Sequence, residues 1–170
     1  MLDELKFLIE DRLSESDEEA AEESSESGTV TQLETIFNDN FVAYYRSHVA
    51  HVNVIGRNFT SDHKLLQKVY EDLQDQIDLI AELLRTLGDW MPCDIFDVIT
   101  NSNMDTSALE GTSDFLLEAV LADIQSLAEE YRTLITIADE EGQQQISNYA
   151  QDRVLALDKF VWMFKSTLEV

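Results

Sequence analysis

Phe59-Thr-Ser-Asp-His-Lys-Leu-Leu-Gln-Lys-Val-Tyr-Glu-Asp-Leu-Gln-Asp-Gln-Ile-Asp-Leu-Ile-Ala-Glu-Leu-Leu-Arg-Thr-Leu-Gly88 contains no proline and no glycine before its last residue. Leu66, Tyr70, Leu73, Ile77, Ile80, Leu84 and Leu87 recur at helical spacing, so the stretch from about 60 to 87 reads as one amphipathic helix. Working outward, three more segments carry the same period. They are about 31–55 (Leu33, Phe37, Phe41, Tyr44, then His48 or Val49), about 112–140 (Phe115, Ala119, Val120, Ile124, Leu127, Tyr131, Leu134, Ala138) and about 144–168 (Ile146, Tyr149, Val154, Leu157, Phe160 or Val161, Phe164, Leu168). All five glycines and the single proline, Pro92, fall between these segments, where glycine ends helices by accepting left-handed backbone. Four long amphipathic helices pack as an all-α four-helix bundle. The stretch from Gly88 to Gly111 is too long for a tight turn and reads as a crossover with a short helix over Cys93–Thr100.

The 170 residues suffice for one domain with its own core. A net charge of −24, with only 11 Lys and Arg, argues against DNA binding, which needs cations to displace the counterions of the phosphate backbone. Such acidity suits solubility and the attraction of cations, although a solvated surface is its commonest meaning. The one cysteine, Cys93, excludes an internal disulfide and reads as a small packing residue beside Pro92. No apolar run is long enough to span a membrane and no secretory signal opens the chain, so the expected location is cytoplasmic.

Residues 1–30 stand apart, with eleven acidic side chains against two basic ones. Ser14 to Ser27 is almost wholly Ser, Glu, Asp and Ala, a composition that reads as a disordered acidic linker ahead of a domain over 31–170. Before it, Leu2, Leu5, Leu8 or Ile9, and Leu13 share one helical face. That segment is either a fraying extension or a docking helix for a protein partner, held on a tether.

The chemistry-bearing constellation is His51, His63, Asp78 and Glu82. Imidazole and carboxylate are ligands for oxidisable divalent iron. On one helix His63 and Asp78 lie roughly 22 Å apart, so one chain cannot close them around one ion, whereas two copies crossing antiparallel at a two-fold axis can. Relative to His63, residue 67 falls at about 40°, Asp78 at about 60° and Glu82 at about 100°, a stripe beside the apolar one. Taken singly, each has a bland reading: a satisfied structural histidine, or a carboxylate on a solvated face. No Glu-x-x-His occurs anywhere in the chain, so the di-iron motif that some bundles carry in their core is absent.

His51-Val-Asn-Val-Ile-Gly-Arg-Asn-Phe59, then Asp62-His63, then Ile77-Asp-Leu-Ile-Ala-Glu-Leu-Leu-Arg-Thr-Leu-Gly88 resemble the Dps family of miniferritins. Leu157-Asp-Lys-Phe-Val-Trp-Met-Phe164 resembles the end of that family's last helix. The resemblance covers roughly residues 32–168 and implies a ferritin-like bundle, with the short helix in the crossover between its second and third long helices. It further implies a dodecameric homo-oligomeric shell in which iron, as Fe2+, is oxidised at two-fold interfaces, commonly by hydrogen peroxide, and stored as Fe3+. His51 and His63 would come from one subunit, Asp78 and Glu82 from its partner.

Four departures accompany the likeness. Gln67 stands at a ligand position that is acidic in the family. Val52 replaces the Trp that follows the first histidine. The start of the last helix, acidic in many relatives where it lines three-fold pores, reads Gln143-Gln144-Gln145 and Asn148, with Asp139, Glu140 and Glu141 upstream as partial substitutes. The basic DNA-binding tails of some relatives are replaced by the acidic linker. Three readings follow: a ferroxidase and iron store; an assembly cage with weakened iron chemistry, tethered by Leu2–Leu13; and DNA protection by direct binding, which the electrostatics oppose.

Overall fold

The computed structural model describes residues 27–169, and the expected linker and amphipathic segment before Ser27 lie outside them. Five helices follow in order: α1 Gly28–Asn53, α2 Phe59–Thr86, α3 Ile95–Thr100, α4 Ser113–Glu140 and α5 Gln144–Leu168. The four long ones form the bundle, and α3 is the short helix of the crossover. Each boundary lies within three residues of its expected place, the largest difference being at the start of α1. Gly28, expected to precede the helix, is its first residue.

Local chemistry explains the ends. The Thr112 side chain caps α4 by accepting from the Phe115 N–H, and Asp94 caps α3 by accepting from the Phe96 N–H at 2.8 Å. Gly142 takes φ +71° in the tight α4–α5 turn, a conformation costly for any residue with a Cβ. α1 has no cap of its own. Glu141, at the far end of α4, accepts from the Ser27 hydroxyl at 2.6 Å and from the Gly28 and Thr29 amides at 2.7 and 3.1 Å. These bonds, that of Ser27 first, hold the Glu141 carboxyl at about 2.

α1 packs on α2 and α4, and α4 on α5. Leu66, Leu73, Ile80 and Leu84 of α2 are buried against Leu33, Ile36 and Phe37 of α1 and against Ile124, Leu127, Tyr131 and Leu134 of α4 in one continuous core. Each such aliphatic side chain contributes about 1.5–3 kcal/mol by leaving water. The α1 face departs from expectation. Its buried stripe takes in Asn40 and Ser47, while Phe41, Tyr44 and Val49 are only half-buried. Asn40 belongs inside because its amide donates to the Leu73 carbonyl at 2.8 Å, a use that hydropathy does not register. Phe115, expected in the α4 core, is exposed at the first turn.

The crossover is tied down by one buried carboxylate. Asp39 of α1 accepts from the Ser102 hydroxyl at 2.6 Å, and from the Asn103 amide and side chain at 2.6 and 3.1 Å. Glu130 of α4 faces it, and burial, reinforced by the bond to Asp39, pushes the Glu130 carboxyl up to about 9. Glu130 therefore keeps its proton at neutral pH and adds no second negative charge beside Asp39. This latch keeps α3 against α1.

Candidate metal centre

The α1–α2 corner is built so that two imidazoles meet. α1 ends at Asn53, and Gly56 turns the chain with φ +105°. α2 then runs back antiparallel, bringing His63 in its first turns beside His51 in the last turn of α1. Helix ends leave carbonyls without intrahelical partners, and the His51 carbonyl is one. The His63 Nδ1–H donates to it at 2.7 Å, and the His51 Nδ1–H donates to the His63 carbonyl at 2.9 Å. The rings stack with centroids 3.7 Å apart and planes 21° from parallel.

The reciprocal bonds decide the tautomers. A carbonyl oxygen only accepts, so Nδ1 carries the proton on both rings. In the neutral form each Nε2 keeps its lone pair. Metal-binding histidines are commonly oriented this way, with the far nitrogen donating to a backbone carbonyl or a carboxylate. Here each histidine orients the other.

Three further aromatic groups brace the pair. Phe59 stacks on His63 at 4.9 Å, Tyr70 meets His51 edge-on at 4.9 Å, and His48 stacks on Tyr70 at 4.4 Å. Sequence reasoning placed Tyr70 and His48 only on apolar stripes and quoted Phe59 only for likeness. The available signal was spacing: His48 and His51 lie one turn apart, as do Phe59 and His63, with Tyr70 two turns beyond His63.

Asp78 and Glu82 do not join the histidines. Both are exposed on the second half of α2, fifteen and nineteen residues beyond His63 on one uninterrupted helix. Among the described residues of a single chain, no three His, Cys, Asp or Glu side chains come together. Gln67, one turn after His63, donates one amide N–H to Glu71 at 2.7 Å, which leaves its Oε1 as the only atom able to act as a metal ligand. Of the three acids expected to offset the neutral start of α5, Glu141 is committed to capping α1. In the first turns of α5 itself, Gln144 bonds Asn148 at 3.4 Å.

Between α2 and α5 an arginine takes up a half-buried carboxylate. Arg153 of α5 donates twice to Asp72 of α2, at 3.1 and 2.6 Å. Beside this pair the Tyr131 and Tyr149 hydroxyls bond at 3.1 Å, and Tyr149 donates to Gln76 at 3.0 Å. The Arg153–Asp72 pair joins α5 to α2 through a guanidinium, which neutralises the Asp72 carboxylate. Among the described residues, no helix is long and apolar enough to cross a membrane.

The ferritin-like domain model matches residues 30–170. A DNA protection during starvation protein from Helicobacter pylori is 30% identical over 132 residues, covering 76% of this chain and 91% of that protein. The protein of the same name from Listeria monocytogenes is 28% identical over 127 residues, covering 71% and 79%. Among solved structures, Helicobacter cinaedi CAIP aligns with a TM-score of 0.77 at 33% identity, over 82% of this chain and 99% of that one. Dps from Listeria monocytogenes aligns with a TM-score of 0.81 over 85% and 96%; at 24% identity it speaks to the fold alone. On the extent of the domain match and the likeness to these relatives, the chain belongs to the ferritin-like proteins and, within them, to the Dps family of miniferritins.

Proposed function

We propose that this protein is a ferroxidase and iron store. It assembles as a hollow dodecamer in the cytoplasm, oxidises Fe(II) with hydrogen peroxide at sites shared by two-fold-related subunits, and keeps the ferric product inside, protecting against oxidative stress. The observation that carries this reading is the stacked His51–His63 pair, whose reciprocal Nδ1 bonds leave both Nε2 nitrogens without a hydrogen-bond partner among the described residues. Asp78 and Glu82 of the partner subunit complete the site, with Glu82 bridging the irons or holding the main one. Their stripe on α2 is at the right angle for an antiparallel crossing of two copies.

The roles follow from charge. Neutral imidazoles bind Fe(II) without adding charge, and the carboxylates stabilise the Fe(III) product. One peroxide takes one electron from each of two Fe(II) ions. Its O–O bond breaks, two protons are taken up and two waters result, so no hydroxyl radical is released. Gln67 supplies no charge where the second ion binds, so that position is weak.

One observation favours a second reading, a cage with weakened or lost ferroxidase activity tethered to a partner by its N-terminal segment. The Gln67 amide is tied to Glu71, and α5 begins without an acid in its first turn. Anaerobic Fe(II) oxidation by peroxide separates the two. Fast, saturable oxidation that falls at least tenfold, to the buffer rate, in Glu82→Ala supports the ferroxidase. Buffer rates for both proteins would leave the cage. Direct DNA binding is not part of either reading, given the net charge of −24.

A further inference from the structure

Tyr70 lies on α2, two turns beyond His63, and its ring meets the His51 ring edge-on, with centroids 4.9 Å apart and planes 61° from parallel. His48 stacks nearly flat on Tyr70, at 4.4 Å and 17°, which fixes the phenol in that contact. Among the described residues Tyr70 is the only phenol in ring contact with either histidine of the pair. Phe59, stacked on His63, is a phenyl ring and resists oxidation. Tyr44 meets His48, at 6.1 Å, and the Tyr131 and Tyr149 hydroxyls are committed to each other and to Gln76.

The electron count gives this contact a use. Reduction of one peroxide to two waters takes two electrons, and each Fe(II) gives one. Gln67 brings no charge to the second iron position, so at low iron the histidines hold a single Fe(II) and one electron is missing. One-electron reduction would split the O–O bond into hydroxide and a hydroxyl radical. We propose that Tyr70 supplies the missing electron, standing in for the second iron when only one is bound. This role rests on the ferroxidase reading and adds a residue to it.

The step balances. Fe(II), hydrogen peroxide, the Tyr70 phenol and one proton from solvent give Fe(III), a neutral tyrosyl radical and two waters. The O–O bond and the phenolic O–H bond break. The electron crosses the edge contact with His51, and the phenolic proton leaves to water, since Tyr70 is only half-buried. A second Fe(II), arriving after the first has moved to the interior, reduces the radical with uptake of one proton. Two irons are still oxidised per peroxide, in turn instead of together.

Freeze-quench electron paramagnetic resonance on the full-length assembly tests the proposal, with anaerobic Fe(II) at one ion per subunit and an equal amount of hydrogen peroxide. A tyrosyl signal is expected in the unaltered protein, narrowed when its tyrosines carry ring deuterons, and at least about tenfold weaker in Tyr70→Phe. That substitution keeps a ring against His51 and His48 and removes only the oxidisable hydroxyl. Spin-trapped hydroxyl radical is expected to rise at least about threefold in the same variant. Gln67→Glu leaves Tyr70 untouched but favours two irons binding together, and is expected to lower the tyrosyl yield at least about threefold. A signal that survives Tyr70→Phe would assign the donor to another tyrosine and overturn the proposal. Peroxide-driven oxidation with no tyrosyl signal, or a yield unmoved by Gln67→Glu, would overturn it too, and each of these results leaves the ferroxidase standing. Oxidation at the buffer rate in the unaltered protein sinks the ferroxidase itself, and this role of Tyr70 with it.

Discussion

The His51–His63 pair and the Arg153–Asp72 pair are both polar contacts between long helices, and they differ in what they leave unused. At Arg153 both carboxylate oxygens of Asp72 are engaged and the neighbouring tyrosines bond each other and Gln76, and the one group left over is the buried Arg153 Nε–H, a donor without a lone pair. At the α1–α2 corner each ring spends one nitrogen on backbone and keeps the other free. A network whose spare group is a donor cannot hold a cation, whereas one that ends in two spare lone pairs has capacity for a metal. Polarity and burial alone do not separate the two, since Arg153 and His51 are 6% and 8% exposed.

The most disruptive way to test this contrast is Arg153→Ala. It strands the half-buried Asp72 carboxylate and removes the cation beside Tyr131, and is expected to cost about 2–4 kcal/mol. Thermal unfolding at fixed protomer concentration measures it, while Fe(II) oxidation by the still-folded protein stays near the unaltered rate. Loss of oxidation without loss of stability would break the distinction.

A second substitution sharpens the other side. Gln67→Glu places a carboxylate one turn after His63 and is expected to strengthen the weaker iron position about tenfold or more, read by anaerobic calorimetry with Fe(II). Unchanged binding would mean that position 67 does not face the ion.

The smallest effect concerns Glu141, a polar group that is satisfied yet exposed. Its carboxyl is held at about 2 against an ordinary 4.5. A lowered folded-state value contributes stability that is present above 4.5 and disappears as pH falls toward 2. Glu141→Gln should therefore lower Tm slightly at neutral pH and not at pH 2, flattening the acid limb of the Tm–pH curve. An equal loss at both pH values would assign the effect to shape instead of charge.

The bundle was legible because its punctuation is local. Gly88, Gly111 and Gly142 separate periodic segments, and a glycine's backbone freedom can be read without knowing its neighbours. The α1 face was misread for the converse reason. Asn40 is buried on account of a carbonyl thirty-three residues away, and hydropathy counts it as surface. His51 and His63 could be singled out by type and spacing, yet their mutual bonds depend on how α1 ends and how Gly56 turns the chain. The commitment of Glu141 to Ser27, across 114 positions, has no local signature. Tertiary hydrogen bonds account for what the sequence hid.

That same bond sets an order of events during synthesis. The first turn of α1 presents its amides from the moment it leaves the ribosome, but their acceptor is 113 residues downstream of Gly28. At about 5–20 residues per second the wait is roughly 6–23 seconds. Through that interval α1 and α2 can pair into a hairpin whose leading end stays frayed. A chain broken off before residue 141 never seats its first turn, so the cap closes only on subunits whose four-helix set is nearly complete.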